Sequence, residues 1–88
     1  MIEKNTKIVN KAGMHTRPAS MLVKIASKFK SDFYIEKDGF RINAKSIIGV
    51  MTLAAEFGST VTLIFDGPDE AKASQEITKY FEDGFGEL

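Results

Sequence analysis

The sequence predicts an α+β fold: an open-faced β-sandwich with elements in the order βαββαβα, whose four-stranded, mostly antiparallel sheet carries three helices on one face. Three observations predict it. Asp38-Gly39 lies between two alternating segments and is the strongest hairpin signal in the chain. Apolar residues recur at helical spacing near residues 16–28 and again beyond Gly67-Pro68, with a shorter capped stretch between them. Three helices are too few to cover both faces of a sheet, which places them together on one side. At 88 residues the chain supports one modest core, so 1–88 is expected to form a single domain.

Taken in order, residues 2–9 alternate imperfectly and end in the β-branched pair Ile8-Val9, which predicts a first strand. A loop through Asn10-Lys11-Ala12-Gly13 leads to a helix near 16–28, with Thr16 as a candidate cap and Pro18 in its first turn. Proline disfavours the α region for the residue before it, which argues for a start beyond Arg17. Pro18, Leu22, Ile25 and Phe29, widened by Ala19, Val23 and Ala26, make most of this helix apolar. Ser20, Lys24 and Ser27 form one narrow polar stripe, the part expected to meet water.

A two-residue turn at Asp38-Gly39 sets strands at 32–37 and 40–43, with Glu36 opposite Arg41, Ile35 opposite Ile42 and Phe33 opposite Ala44. Ser46 caps a short helix at 47–53, and Glu56-Phe57-Gly58-Ser59 breaks the chain. Val61, Leu63 and Phe65 alternate with Thr60, Thr62 and Ile64 in the next strand. Gly67-Pro68-Asp69-Glu70 turns into the last helix, which presents Ala73, Ile77, Tyr80, Phe81 and Gly84 on one side. Residues 83–88 are expected to fray. Phe29, Phe33, Phe40, Phe65, Tyr80 and Phe81 are expected in the core.

Bulk properties exclude several functions. Twelve basic and twelve acidic residues give zero net charge, which argues against a nucleic-acid footprint. With no cysteine and one histidine, neither a disulfide framework nor a typical zinc site is available, and no cofactor is expected. No run approaches the length of a membrane span and the N-terminus lacks a signal-peptide core, so the expected location is the cytoplasm.

The chemistry converges on Gly13-Met14-His15-Thr16-Arg17-Pro18-Ala19. His15 sits at a helix start, where unpartnered N–H groups and the positive end of the macrodipole favour an anion. Arg17 adds a permanent charge with a planar donor fork suited to phosphate oxygens. An imidazole keeps a free lone pair at neutral pH and is a competent nucleophile. A phosphoryl group accepted on nitrogen is the product these residues favour. Gly13 gives the loop backbone angles closed to other residues.

This motif, followed by Ala44-Lys45-Ser46-Ile47-Ile48-Gly49-Val50-Met51 and Gly67-Pro68-Asp69-Glu70, closely resembles the HPr family, the histidine-containing phosphocarriers of the bacterial phosphotransferase system. The likeness spans about residues 2–84. It implies a first helix starting at about residue 16. It also implies a recyclable carrier rather than an enzyme, with His15 accepting a phosphoryl group on Nδ1 from phosphorylated enzyme I. His15 then passes the group to IIA proteins for sugar uptake, with Arg17 neutralising the phosphoryl oxygens. A nitrogen-branch paralogue with a regulatory role is the alternative within the family. Crh-like regulators lack the histidine that this chain has.

Gly39-Phe40-Arg41-Ile42-Asn43-Ala44-Lys45-Ser46 nearly spells a nucleotide-binding P-loop. The likeness is physically empty: Gly39 belongs to the hairpin, the following residues read as strand, and Ala44 places a methyl where backbone must approach phosphate. Ser46 is first a helix cap. The family resemblance adds regulatory phosphorylation by an HPr kinase/phosphorylase, with a transcriptional regulator as a further partner. Ile47, Ile48, Val50, Met51 and Leu53 are too many apolar residues for one buried face, so Ile47, Ile48 and Met51 are expected to be exposed as a docking patch. Thr16, Arg17, Ser20, Lys24, Ser27 and Lys45 form its polar, partly basic rim, and the carrier is expected to be a monomer without metal or membrane insertion.

Overall fold

A computed structural model describes all 88 residues. Its elements are β1 (Ile2–Lys7), α1 (Thr16–Ala26), β2 (Asp32–Lys37), β3 (Phe40–Asn43), α2 (Ile47–Leu53), β4 (Thr60–Asp66) and α3 (Glu70–Glu82), followed by a 3₁₀ turn at Gly84–Gly86. The four strands form one sheet in the order β1-β4-β2-β3, and every pairing is antiparallel. The expected architecture stands, with the sheet wholly rather than mostly antiparallel.

The hairpin forms for the expected reason. Asp38 and Gly39 both take positive φ, 52° and 81°, the geometry of a tight turn whose twist matches the flanking strands. Ile35 pairs with Ile42 and Glu36 with Arg41, whose guanidinium lies 3.5 Å from the Glu36 carboxylate. The Ala44 N–H donates to the Phe33 carbonyl at 2.9 Å, so the pairing carries past the end of the strand. Gly39 is committed to this turn and residues 40–43 to the strand, which leaves no phosphate-binding loop.

The core lies between the sheet and the helices. Phe33 and Phe65, neighbours on β2 and β4, stack with centroids 4.8 Å apart, and Leu22, Val50, Ile77 and Phe81 close over them from the helices. Phe40 is the exception among the aromatics expected inside, at 52% exposed. It shares a face with buried Ile42 but stands beside the turn at the start of the edge strand. Phe29 and Tyr80 are partly buried.

Two boundaries differ from expectation, the ends of β1 and of α1. β1 stops at Lys7 rather than Val9, although backbone pairing with the segment before β4 runs one residue on: the Ile8 N–H donates to the Ser59 carbonyl and the Ile8 carbonyl accepts from the Gly58 N–H, both at 2.9 Å. α1 begins at Thr16, as the family resemblance implies, so Arg17 is helical despite the following proline; it ends at Ala26 rather than 28, and the capping position belongs to His15 rather than Thr16. The exposed side of α1 is also broader than a stripe: Thr16, Arg17 and Met21 join Ser20 and Lys24 in solvent.

Residues 83–88 do not fray. Gly84, Phe85 and Gly86 all have positive φ, 61°, 58° and 74°, and coil into a left-handed turn closed by hydrogen bonds from Gly86 to Asp83 and from Glu87 to Gly84. Phe85 is 6% exposed and packs on Tyr80 and Phe81, at centroid distances of 5.3 and 5.0 Å. The burial of one aromatic ring holds a segment whose local composition favours disorder.

Two stability predictions arise here. Ala54 ends α2 in the left-handed region, φ 53° and ψ 46°, with its methyl in solvent. Glycine carries no Cβ penalty there, so Ala54→Gly is expected to stabilise the fold by ~0.5 kcal/mol after its larger unfolded-state entropy is subtracted, as urea titration would read. Asp69 ends the loop before α3 without capping that helix; its carboxylate accepts from the backbone N–H groups of Lys30 and Ser31 and from the Ser31 hydroxyl. The Ser31 hydroxyl, then the Lys30 amide, hold its carboxyl down at about 2, against an ordinary 3.8. A depressed carboxyl contributes stability above its unfolded pKa and loses it as pH falls toward the folded value. Acid melting should therefore steepen between pH 3.8 and about 2, and Asp69→Asn should remove that part of the slope.

Candidate functional site

The site loop is built on Asn10 and Gly13. The Gly13 N–H donates to the Asn10 carbonyl at 3.1 Å, and the Asn10 side-chain amide returns a bond to the Gly13 carbonyl at 2.8 Å. Gly13 has φ 72°, and a Cβ there would stand 3.0 Å from the Ala55 carbonyl oxygen and 3.1 Å from Glu56 Cα. Close backbone approach and left-handed geometry both demand glycine. Met14 is buried and its N–H donates to the Ala55 carbonyl at 2.8 Å, which pins the loop to the segment that leaves α2.

From that clamp the chain enters α1 through His15, which has extended backbone, φ −86° and ψ −175°. Its carbonyl accepts the first intrahelical bond, from Ala19. No side chain caps the helix, no acidic residue occupies its first turn, and Pro18 has no N–H. The N–H groups of Thr16 and Arg17 are therefore left to an external acceptor. The His15 side chain is 41% exposed at this end. Arg17, one residue into the helix, is exposed beside it.

Glu87 completes the site, and nothing in the sequence reading identified it. Its carboxylate oxygens lie 2.9 and 3.1 Å from His15 Nε2, and one of them also accepts from the Asn10 amide at 2.8 Å. The bond with His15, then the Asn10 amide, hold its carboxyl below the ordinary value, and Arg17 adds a smaller pull in the same direction. Glu87 lies 72 residues from His15, so no spacing rule joins them. The one signal was Gly84-Phe85-Gly86, an aromatic between glycines in a segment otherwise fit to fray.

The remaining candidates divide. Thr16, Ser20 and Lys24 line the exposed side of α1, and Ser27, just past its end, is exposed as well, with its hydroxyl donating to the Val23 carbonyl at 2.8 Å. Ile47, Ile48 and Met51 are 37%, 76% and 40% exposed on α2, which packs against α1, and Met21, unanticipated, adds 46% exposure from α1. Lys45 is not a free rim charge: it is half-buried, and its ammonium donates to the Phe29 carbonyl at 2.8 Å. Ser46 caps α2, its hydroxyl oxygen accepting from the Gly49 N–H at 3.3 Å. No helix is long and apolar enough to cross a membrane. No three acidic or histidine side chains gather to hold a metal.

A half-exposed imidazole beside uncapped helix amides and an arginine is arranged to receive an anion on nitrogen. The family model "PTS HPr component phosphorylation site" matches residues 2–83. The phosphocarrier protein HPr of Treponema pallidum is 44% identical over 87 residues, covering 99% of both chains. The HPr-like protein Crh of Halalkalibacterium halodurans is 45% identical over 82 residues, 93% of this chain and 98% of that one. The crystal structure of HPr-C-His from Thermoanaerobacter tengcongensis superposes with a TM-score of 0.96 at 43% identity, covering 100% of this chain and 99% of that one. The chain belongs to the HPr family, the phosphocarrier components of the phosphotransferase system.

Proposed function

We propose that His15 accepts a phosphoryl group from the phosphohistidine of enzyme I and passes it to a IIA protein or domain that serves sugar uptake. The observation that carries this reading is the exposed ring of His15 at the uncapped start of α1. A ring nitrogen of His15 attacks phosphorus as the donor's N–P bond breaks, and the donor nitrogen recovers that electron pair. Nothing is oxidised, and no cofactor of the carrier's own enters the exchange. The N–H groups of Thr16 and Arg17 and the Arg17 guanidinium offset the charge on the phosphoryl oxygens, a positioning and electrostatic role. Met21, Ile47, Ile48 and Met51 supply the apolar surface on which partners dock, with Thr16, Ser20 and Lys24 at its rim.

The test is phosphoryl transfer from phosphoenolpyruvate in the presence of the host's enzyme I. Acid-labile, alkali-stable label on this chain is the expected result, and its absence would overturn the reading. Onward transfer to IIA proteins of the sugar and nitrogen branches separates those two roles, and light scattering is expected to find a monomer.

Ser46 is the second modification point in this reading. Its phosphorylation by an HPr kinase adds about −2 charge at the start of α2, where the Gly49 N–H already points at its oxygen, so the helix survives while the docking face changes sign. ATP and the kinase are expected to leave an acid-stable label that Ser46→Ala abolishes.

A further inference from the structure

The contact between His15 and Glu87 bears on which ring nitrogen does the chemistry. We propose that Glu87 is a positioning residue that fixes the His15 tautomer, its carboxylate keeping the ring proton on Nε2 and leaving the Nδ1 lone pair as the nucleophile. The functional meaning of this assignment rests on the carrier role proposed above.

The geometry carries the argument. Both Glu87 oxygens face Nε2, at 2.9 and 3.1 Å. An ionised carboxylate only accepts hydrogen bonds, so the nitrogen it faces must donate. In a neutral imidazole a donor at Nε2 leaves Nδ1 with the lone pair. Glu87 is ionised at neutral pH, its carboxyl being held below the ordinary range. The same logic orients the ring in catalytic triads, where a buried acid fixes the base without itself taking the proton.

Glu87 is held in place from two sides. The left-handed turn at Gly84–Gly86 anchors the segment through Phe85, buried against Tyr80 and Phe81. Asn10, itself 1% exposed, ties one Glu87 oxygen to the site loop by donating to it at 2.8 Å and to the Gly13 carbonyl at the same distance. The C-terminal strap and the loop that presents His15 thus share one side chain. During transfer Nδ1 forms the N–P bond and the Nε2 proton stays on the ring. The positive charge this leaves on the imidazole faces the Glu87 carboxylate.

The test reads the tautomer directly, on unphosphorylated protein. Two-bond ¹⁵N–¹H correlations at about pH 8, where an ordinary imidazole is neutral, report which nitrogen carries the proton. The parent should show it on Nε2. In Glu87→Ala the Nδ1–H population should rise about fivefold, the ratio that ~1 kcal/mol of partly exposed, charge-assisted hydrogen bond supports. Phe85→Ala, which keeps the carboxylate but releases its anchor, should move the same signal in the same direction. An unchanged tautomer in Glu87→Ala overturns the proposal; a shift there with none in Phe85→Ala overturns the role of the anchor. Failure of the parent to take label from enzyme I would strike the carrier reading alone and leave the tautomer result standing.

Discussion

His15→Ala is expected to abolish phosphoryl uptake completely while leaving the fold intact. The ring is 41% exposed and makes no capping bond to α1, so its removal opens no cavity and costs the helix no cap. What is lost structurally is one hydrogen bond to Glu87, of order ~1 kcal/mol at a partly exposed site. What is lost chemically is everything, since the chain has no second histidine and no cysteine to take the group. Arg17→Ala should behave differently: the nucleophile remains, but transfer should slow about 10²-fold, as when one charge-stabilising donor is removed from a transition state. The amides of Thr16 and Arg17 keep part of the stabilisation in that variant. Labelling from phosphoenolpyruvate through enzyme I, quantified after acid and after alkali, measures both. Acid-labile label persisting on His15→Ala would place the acceptor elsewhere.

Where local chemistry decides an element, the sequence was sufficient. Asp38-Gly39 can satisfy a tight hairpin turn by itself, and the alternation on either side then leaves one register, which is why Glu36 and Arg41 face each other as expected. Ser46 caps α2, and the surplus of apolar residues on so short a helix puts Ile47, Ile48 and Met51 outside. The helix signals around Thr16 and Pro18 likewise located His15 to within one position of its place. The misses are all non-local. Lys45 reads as a surface charge until the Phe29 carbonyl, 16 residues away, claims it. Phe40 has the alternation of a core residue, yet it stands beside the turn on the edge strand, half in solvent. Glu87 depends on Phe85 finding Tyr80 and Phe81, a packing event that no window of the sequence contains.

Phe81→Ala should be among the most destabilising single changes in the chain, and it should reach the site as well. Phe81 is fully buried, and truncating such a ring costs about 3–5 kcal/mol, the lost transfer energy plus the cavity left behind. Against a typical net stability of about 5–15 kcal/mol that is a large fraction, and it should lower the melting temperature by more than about 12 °C. The second consequence follows from geometry. Phe81 meets Phe85 edge to face at 5.0 Å, and without it Phe85 keeps only Tyr80 as an aromatic neighbour. The left-handed turn that presents Glu87 should then open more often, seen as faster amide exchange at Gly86 and Glu87, whose N–H groups bond Asp83 and Gly84. Phe40→Ala is the matching control: its ring is half in solvent beside the hairpin turn, so stability should change by about 0.5 kcal/mol or less and exchange at the C-terminal turn not at all. A melting temperature unmoved in Phe81→Ala would contradict the packing of α3 on the sheet. Normal stability loss without faster exchange at Glu87 would show that the strap is held by Asn10 rather than by the aromatic cluster.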